Sequence, residues 1–338
     1  MSRTEEAKGI SAVVCTYNGA SRIVNTLGAF RKQVKTDGIP WEVILVDNAS
    51  KDDTSDVARE LMKDSDVDFS LLFEARPGKN NAIETGFAKA KYDYLCIVDD
   101  DNWVCDDYIS KVYSIMSENP DVGICGANGT GEFEVPPPAW INEFKIAYGI
   151  GPQSANDGYL PFGEDCLYGA ASAIRKSAWL ELKERGFVFT LSGRKGKTLA
   201  SGEDMELSQA MLLLGYKLWY SSSLEFRHYM PAGRITWPYM CRLSEAFGRS
   251  DVITNQYRIY LNTLKPVYKY IYRYYVLHLC YAFYQYLKSY PLRYLFKQKV
   301  REGKLELLLY LRFRAYFIEL LRSGYKLPMI RSNIRKLL

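Results

Sequence analysis

The sequence predicts an α/β protein with a mostly parallel sheet between helices, followed by a helical C-terminal extension. Two observations predict it. Short apolar runs alternate four times with helix-period segments across short links, the pattern of a sheet buried on both faces. Each apolar run also ends abruptly in polar residues. The composition permits such a core: 338 residues, 48% hydrophobic and 25% charged, as in an ordinary folded protein.

The first strand is the run Ile10 to Cys15, ended by Thr16-Tyr17-Asn18-Gly19. A helix to about Val34 follows, with Ile23, Leu27, Phe30 and Val34 at helical spacing. Trp41 to Val46 is the second strand, closed by Asp47-Asn48-Ala49-Ser50. Ser50 and Asp53 have capping-box spacing before a helix to about Met62. Phe69 to Phe73 is the third strand, followed by Arg76-Pro77-Gly78-Lys79-Asn80-Asn81 and a helix through Ala90. The fourth is Leu95 to Val98, with a helix from about Asp106 to Ser117 behind it. Val122 to Ala127 reads as a further strand, and Trp140 to Asp165 as a long loop rich in Gly, Asn, Pro and Tyr. After the small-residue run Leu167 to Ile174, a helix is expected from Ser177 to about Arg185. Another begins in Ser201-Gly-Glu-Asp-Met-Glu and stops at Gly215, and Tyr216 to Phe226 is a strand. From Trp237 onward the pattern is helical, with a joint near Leu264-Lys265-Pro266.

In such sheets ligands sit beyond the C-terminal ends of the strands. Thr16-Tyr17-Asn18, Asp47 and Asp99-Asp100-Asp101 all fall there. On an extended backbone Asp99 and Asp101 point the same way. Two carboxylates at the mouth of a buried strand call for a cation, and a hard divalent ion bridging a diphosphate meets the need. The plain alternative is a polar turn capped by Asp-Asn.

Net charge is +5 but divides unevenly. Arg258 to Leu338 holds 17 Lys/Arg against 3 Asp/Glu, and residues 1 to 257 hold 27 against 36. Half of the 27 tyrosines also follow residue 257. We therefore divide the chain into an acidic body, 1–256, and a basic, aromatic helical region, 257–338. Seven scattered cysteines with no CxxC indicate reduced thiols and a cytosolic setting over a disulfide framework or zinc site. No apolar signal segment opens the chain, and no stretch of 18 uninterrupted apolar residues predicts a spanning helix.

Five motifs, in this order, carry a family resemblance: Val13-Val14-Cys15-Thr16-Tyr17-Asn18, Val43 to Asp52, Gly78-Lys79-Asn80-Asn81-Ala82, Val98-Asp99-Asp100-Asp101 and Gly202-Glu203-Asp204. Over about residues 9 to 250 the chain resembles the family 2 glycosyltransferases, which have a GT-A nucleotide-diphospho-sugar transferase fold. The resemblance implies an inverting transfer of a sugar from a nucleotide-sugar donor, of the UDP class by family frequency, to an acceptor hydroxyl. By family role Thr16, Tyr17 and Asn18 line the nucleotide pocket and Asp47 accepts a hydrogen bond from the base. Asp99, with Asp100 beside it, approaches the ribose or sugar; Lys79 and Asn80, which follow a Gly at a strand end, are placed for a phosphate or ribose contact. Asp101, with His228, ligates Mg²⁺ or Mn²⁺ on the diphosphate, whose charge Arg234 neutralises. Asp204 is the general base, and Glu203 orients the acceptor.

Each residue has a plainer reading. Asp47 ends a strand. Ser201 and Asp204 have the spacing of a capping box, so Asp204 caps a helix. Lys79 and Asn80 cap the next helix, Glu203 faces solvent, and His228 is structural. No serine or cysteine triad is visible, and the chain has only two histidines. Two rival functions stay open: a catalytically silent sugar-nucleotide-binding protein and a nucleotidyltransferase.

The 140–165 region and the basic loop with Arg194, Lys195 and Lys197 have no motif counterpart and are expected to shape the acceptor site. In the C-terminal region, Ile271, Tyr275, His278 and Ala282 form one stripe, and Leu307, Leu311, Phe313 and Phe317 another. The basic and aromatic residues there suit an anionic membrane surface and a lipid-linked saccharide acceptor. The expected location is cytoplasmic, on the inner face of the membrane, with no nucleic acid partner. The plain alternative is a helical appendage packed on the body.

Overall fold

The computed structural model describes residues 7–193, 199, 201–263, 280, 283–284, 286–288 and 305–338. The joint near Leu264, the stripe from Ile271 to Ala282 and the basic residues Arg194, Lys195 and Lys197 lie outside the described residues.

The first half forms as its periodicity predicts. Strands β1 (Ala7–Thr16), β2 (Trp41–Asp47), β3 (Phe69–Phe73) and β4 (Tyr92–Asp99) alternate with helices α1 (Ile23–Arg31), α2 (Thr54–Met62) and α3 (Lys79–Lys89). They pair in parallel in the order β3-β2-β1-β4. Both faces of β1, β2 and β4 are buried, whereas β3, at the edge of the sheet, is half-buried and Phe73 exposed. Val13 and Cys15 of β1 join Ile44, Val46, Leu95 and Ile97 under α3. Ala12 and Val14 join Val43, Leu45, Cys96 and Val98 under α1 and α2.

The remainder departs from an all-parallel plan. β5 (Asn102–Val104), α4 (Tyr108–Glu118) and β6 (Val122–Phe133) follow, then α5 (Ile141–Phe144), β7 (Gly158–Tyr159), β8 (Ser172–Arg175), α6 (Lys176–Glu184), α7 (Glu203–Leu213), β9 (Lys217–Met230) and α8 (Trp237–Thr263). β8 inserts antiparallel between β4 and β6, and β9 runs parallel to β6 and antiparallel to β5. The expected strands 122–127 and 216–226 are therefore both too short. Their mutual pairing carries them on to the Phe133–Met230 rung.

Three local expectations also fail for identifiable reasons. α1 stops at Arg31 and Val34 is exposed, because the Val34 backbone amide donates to the Asp106 carbonyl at 2.7 Å and the Gln33 side chain, through Nε2, to the Cys105 carbonyl at 2.8 Å. Ser50 and Asp53 form no capping box: Ser50 instead links two loops of the site, and Asp53 makes no side-chain cap. The 140–165 segment contains α5, a 3₁₀ turn (Lys145–Tyr148) and β7, with Trp140, Ile141 and Tyr148 buried against Trp237 and Tyr239.

Helix α8 runs unbroken through the boundary expected at 256/257. Helices α9 (Leu305–Ser323) and α10 (Leu327–Leu337) join the body rather than hang from it. Tyr316, Leu320, Leu327, Ile330, Ile334 and Leu337 belong to the same buried cluster as Leu207 and Met211 of α7. The stripe expected at Leu307, Leu311, Phe313 and Phe317 is only half-buried. Gly248 lets the two long helices touch, since a Cβ there would collide with the Arg312 carbonyl. Arg312 clasps Asp251 at 2.7 and 2.8 Å. Among the described residues no helix is long and apolar enough to cross a membrane.

Candidate active site

Register aligns the polar strand ends. Thr16 lies opposite Asp47, and Cys15 opposite Asp99, so the loops after β1, β2 and β4 rise from one edge of the sheet. The first two loops are tied together: the Asn18 amide donates to Ser50 Oγ at 2.9 Å, and the Lys51 amide to Asn18 Oδ1 at 2.8 Å. Asn18 (φ 46°) and Ala49 (φ 59°) sit in the left-handed region, backbone strain of a kind that clusters at functional sites. Asp47 accepts from the Ser50 amide at 2.8 Å and from Ser55 Oγ at 2.6 Å. The turn reading therefore describes its present bonds, while each oxygen keeps a second acceptor position. Tyr17 is largely exposed at the rim.

Each carboxylate of the Asp99–Asp101 run meets a cation from a different element. Lys79, the first residue of α3, brings its Nζ to 2.6 Å from Asp99. Burial works against the Lys79 ammonium, but Asp99 and Glu203 outweigh it and hold its pKa above the ordinary lysine value. Arg22 grips Asp100 through Nε at 3.0 Å and Nη2 at 2.8 Å, and Thr16 Oγ1 donates to the same carboxylate at 2.7 Å. Burial still pushes the Asp100 carboxyl up, with Arg22 opposing and Asp101 adding to the shift. Gly19 makes this possible, because a Cβ there would collide with Thr16 Oγ1 and Asp100 Oδ2. Asp101 meets Arg234 Nη1 at 2.7 Å and His228 Nε2 at 3.4 Å.

The last two come from β9 and the turn after it. β5 pairs antiparallel with β9, so that Asn102 lies opposite His228. Asn102, next in chain to Asp101, thereby brings the imidazole to that carboxylate. Pro231 starts the turn, closed by the Arg234 amide on the Pro231 carbonyl at 2.8 Å. His228 is buried, and its Nδ1 is an orphaned polar atom. Asp101 oxygen and imidazole nitrogen fit a divalent ion of the Mg²⁺ or Mn²⁺ kind, which takes one or two protein donors alongside substrate phosphates. Among the described residues no three His, Cys, Asp or Glu side chains form a complete cage.

Asp204 lies in the first turn of α7, after Gly202 at φ 99°. It does not close a capping box with Ser201, whose carbonyl instead accepts from Ser250 Oγ. Its oxygens take the Met205 amide at 2.8 Å and the Gly169 amide at 3.1 Å. Glu203 and Asn80 both approach Gly193, so the start of α7 faces the start of α3, where the Glu203 charge helps hold the Lys79 pKa up. Asn80 does not cap α3: its Nδ2 donates to the Leu191 carbonyl at 2.8 Å, and Gly78 occupies the cap position. Burial pushes the thiols of Cys15, Cys96 and Cys166 up to about 12, which keeps these three protonated and poorly nucleophilic.

Sequence reasoning missed three residues. Arg22 is the lone cation in an otherwise uncharged loop, and its partner Asp100 lies 78 residues away in the chain. Asn48 secures the next loop by donating to the Glu74 and Arg76 carbonyls at 3.0 and 2.7 Å and accepting from the Gly78 amide at 2.7 Å. Glu206, buried in α7, gave no local sign.

The helix-flanked mixed sheet has the GT-A nucleotide-diphospho-sugar transferase fold. More narrowly, the chain belongs to glycosyl transferase family 2, whose profile matches residues 11–182. Among curated relatives, the poly-β-1,6-N-acetyl-D-glucosamine synthase of Staphylococcus epidermidis is 28% identical over 127 residues, 38% of this chain and 30% of that one. The putative glycosyltransferase EpsH of Bacillus subtilis is 29% identical over 129 residues, 38% of this chain and 36% of its own. The chain thus spans about a third of the length of the curated relatives it matches. Among solved structures, the mannosyltransferase PcManGT of Pyrobaculum calidifontis, in complex with GDP-Man and Mn²⁺, superposes with TM-score 0.52 at 14% identity, covering 98% of this chain and 88% of its own. S. aureus TarS 1–349 with UDP-GlcNAc gives 0.51 at 13% identity, covering 94% and 92%. At these identities the superpositions establish the fold.

Proposed function

We propose that the protein is an inverting glycosyltransferase that moves a sugar from a nucleoside-diphosphate donor, of the UDP class, to an acceptor hydroxyl in polysaccharide or glycolipid synthesis. The observation that carries this reading is the strand-end acidic run, each carboxylate matched by a cation from a different element. In this reading Thr16, Tyr17, Asn18 and Asp47 hold the nucleoside, and Asp99 and Asp100 border the ribose and sugar. Lys79 and Arg234 exchange their carboxylates for diphosphate oxygens as donor binds. Asp101 and His228 would hold Mg²⁺ or Mn²⁺, whose charge would stabilise the departing diphosphate.

Asp204 receives the acceptor hydroxyl proton. The acceptor oxygen bonds to the anomeric carbon, the bond from that carbon to the diphosphate oxygen breaks, and the configuration inverts. Glu203, one residue earlier, orients the acceptor. A saccharide or lipid-linked saccharide acceptor agrees with the second proposal, attachment of the 257–338 region to an anionic membrane on its cytoplasmic face. Exposed Leu321, Tyr325 and Met329 lie in sequence among exposed Arg322, Lys326 and Lys336, a composition suited to a charged headgroup zone.

The test is thermal stability against a panel of nucleotide-sugars, each with and without Mn²⁺. A donor at about 100 times its Kd adds about 2.7 kcal/mol. A metal-dependent shift for one nucleotide class, lost in Asp101→Ala, supports the reading; no shift with any donor in folded protein counts against it. For the membrane, flotation with phosphatidylserine vesicles that fails equally for wild type and for Arg322→Glu/Lys326→Glu removes the second proposal.

A further inference from the structure

Glu206 is fully buried in α7, two residues beyond Asp204. Its carboxylate accepts from the Thr190 amide at 3.0 Å, the Leu191 amide at 2.9 Å and the Tyr257 hydroxyl at 3.1 Å. Burial pushes this carboxyl up, and the two amides oppose the shift. A buried carboxylate is costly, and here it fixes one stretch of backbone. That stretch presents the Leu191 carbonyl to Asn80 Nδ2 at 2.8 Å. With its nitrogen engaged, Asn80 leaves Oδ1 buried and, among the described residues, without a hydrogen-bond partner. That oxygen lies beside Gly193, at the point where Glu203 also approaches. An amide oxygen accepts hydrogen bonds and cannot serve a phosphate. Its complement is a hydroxyl.

We propose that Glu206 is a positioning residue for donor recognition. By holding Thr190 and Leu191 it orients Asn80 so that Oδ1 accepts a hydroxyl of the bound donor, from either the ribose or the transferred sugar. This rests on the donor-cleft reading above.

The experiment measures Kd by calorimetry with Mn²⁺ for UDP and UDP-N-acetylglucosamine, and for GDP and GDP-mannose, in wild type, Asn80→Ala, Glu206→Gln and the double variant. Losing one such hydrogen bond weakens binding by up to about tenfold. Glu206→Gln should weaken binding by a similar factor, and the double variant no more than Asn80→Ala alone. Weakening of the plain nucleotide as well as its sugar form assigns the hydroxyl to ribose, and weakening of the sugar form alone assigns it to the sugar. Hydrogen exchange at Thr190 and Leu191 should rise in Glu206→Gln. Glu206→Asp, which keeps the charge but shortens the reach, carries the same comparison if the Gln variant does not fold. Multiplying effects, or a Glu206 variant with faster exchange and wild-type Kd, overturn the relay. An Asn80→Ala variant with wild-type Kd overturns it with the hydroxyl contact. Binding of none of the four nucleotides to folded wild type instead removes the donor-cleft reading on which the relay stands.

Discussion

The carboxylates at the end of β4 and the carboxylate on α7 are held in opposite ways. Asp99, Asp100 and Asp101 face Lys79, Arg22 and Arg234. Asp204 accepts from two neutral backbone amides, those of Gly169 and Met205. A carboxylate paired to a cation is preorganised for charge exchange, since an arriving diphosphate can take the cation over. One held only by amides keeps acceptor positions open on both oxygens and suits proton transfer. In the proposed reading, the contrast divides the site into an electrostatic half and an acid–base half.

The largest test is Asp204→Asn, an isosteric change that removes the proposed base. We expect turnover to fall by about 10²–10⁴-fold with donor affinity unchanged. If titration shows that donor affinity collapses as well, the two halves are not separate. Next is Arg22→Ala, which leaves Asp100 buried without its cation. Breaking such a pair costs about 2–3 kcal/mol here, below the fully buried case because the Arg22 side chain is 29% exposed. Its pH dependence has a definite sign. The Asp100 pKa is already raised above 3.8, so the native state keeps that proton to higher pH than the unfolded chain, and stability falls across this window as pH rises. Removing Arg22 extends the window upward. The stability gap between wild type and Arg22→Ala should widen from about pH 4 toward pH 7, and a gap that narrows in denaturant titrations would refute this account.

Gly248→Leu tests whether the C-terminal helices belong to the same body. Forcing α8 from α9 should cost about 1–3 kcal/mol, read as a lower Tm for a single cooperative transition; two separated transitions would mean the helices unfold independently. The smallest effect is expected at Glu74, whose carboxyl Arg76 and then Thr85 hold down to about 2. Its contribution is complete above the ordinary value of 4.5 and is lost as pH falls toward about 2. Because Arg76 is 65% exposed, Glu74→Gln should cost under about 1 kcal/mol at neutral pH, and the difference should fade in acid.

The nucleotide half was largely legible in the sequence because its signals are local. The apolar runs of β1, β2 and β4 end directly at Thr16, Asp47 and Asp99, and β3 spans the run expected for it. β5 was invisible, since Asn102–Val104 is a strand only by virtue of Phe226–His228 opposite it. The reversed direction of β8 likewise arises from pairing with β4 and β6, and four residues carry no mark of it. His228 and Arg234 were chosen by family role, yet what seats them is the long β6–β9 pairing that periodicity cut short at Phe226. Arg22 and Glu206 were overlooked because their meaning lies in partners across the fold, Asp100 and the Thr190–Leu191 backbone.

The seating of α10 against α7 and α8 bears on how the chain acquires its fold during synthesis. Leu327, Ile330, Ile334 and Leu337 supply part of the apolar surroundings of α7, the helix that carries Asp204, yet they are translated more than a hundred residues after it. A nascent chain that has completed the sheet therefore waits with an uncovered apolar flank on α7, a species prone to aggregation. The ribosome delivers the cover for that flank well after the strands and residues that would bind the donor.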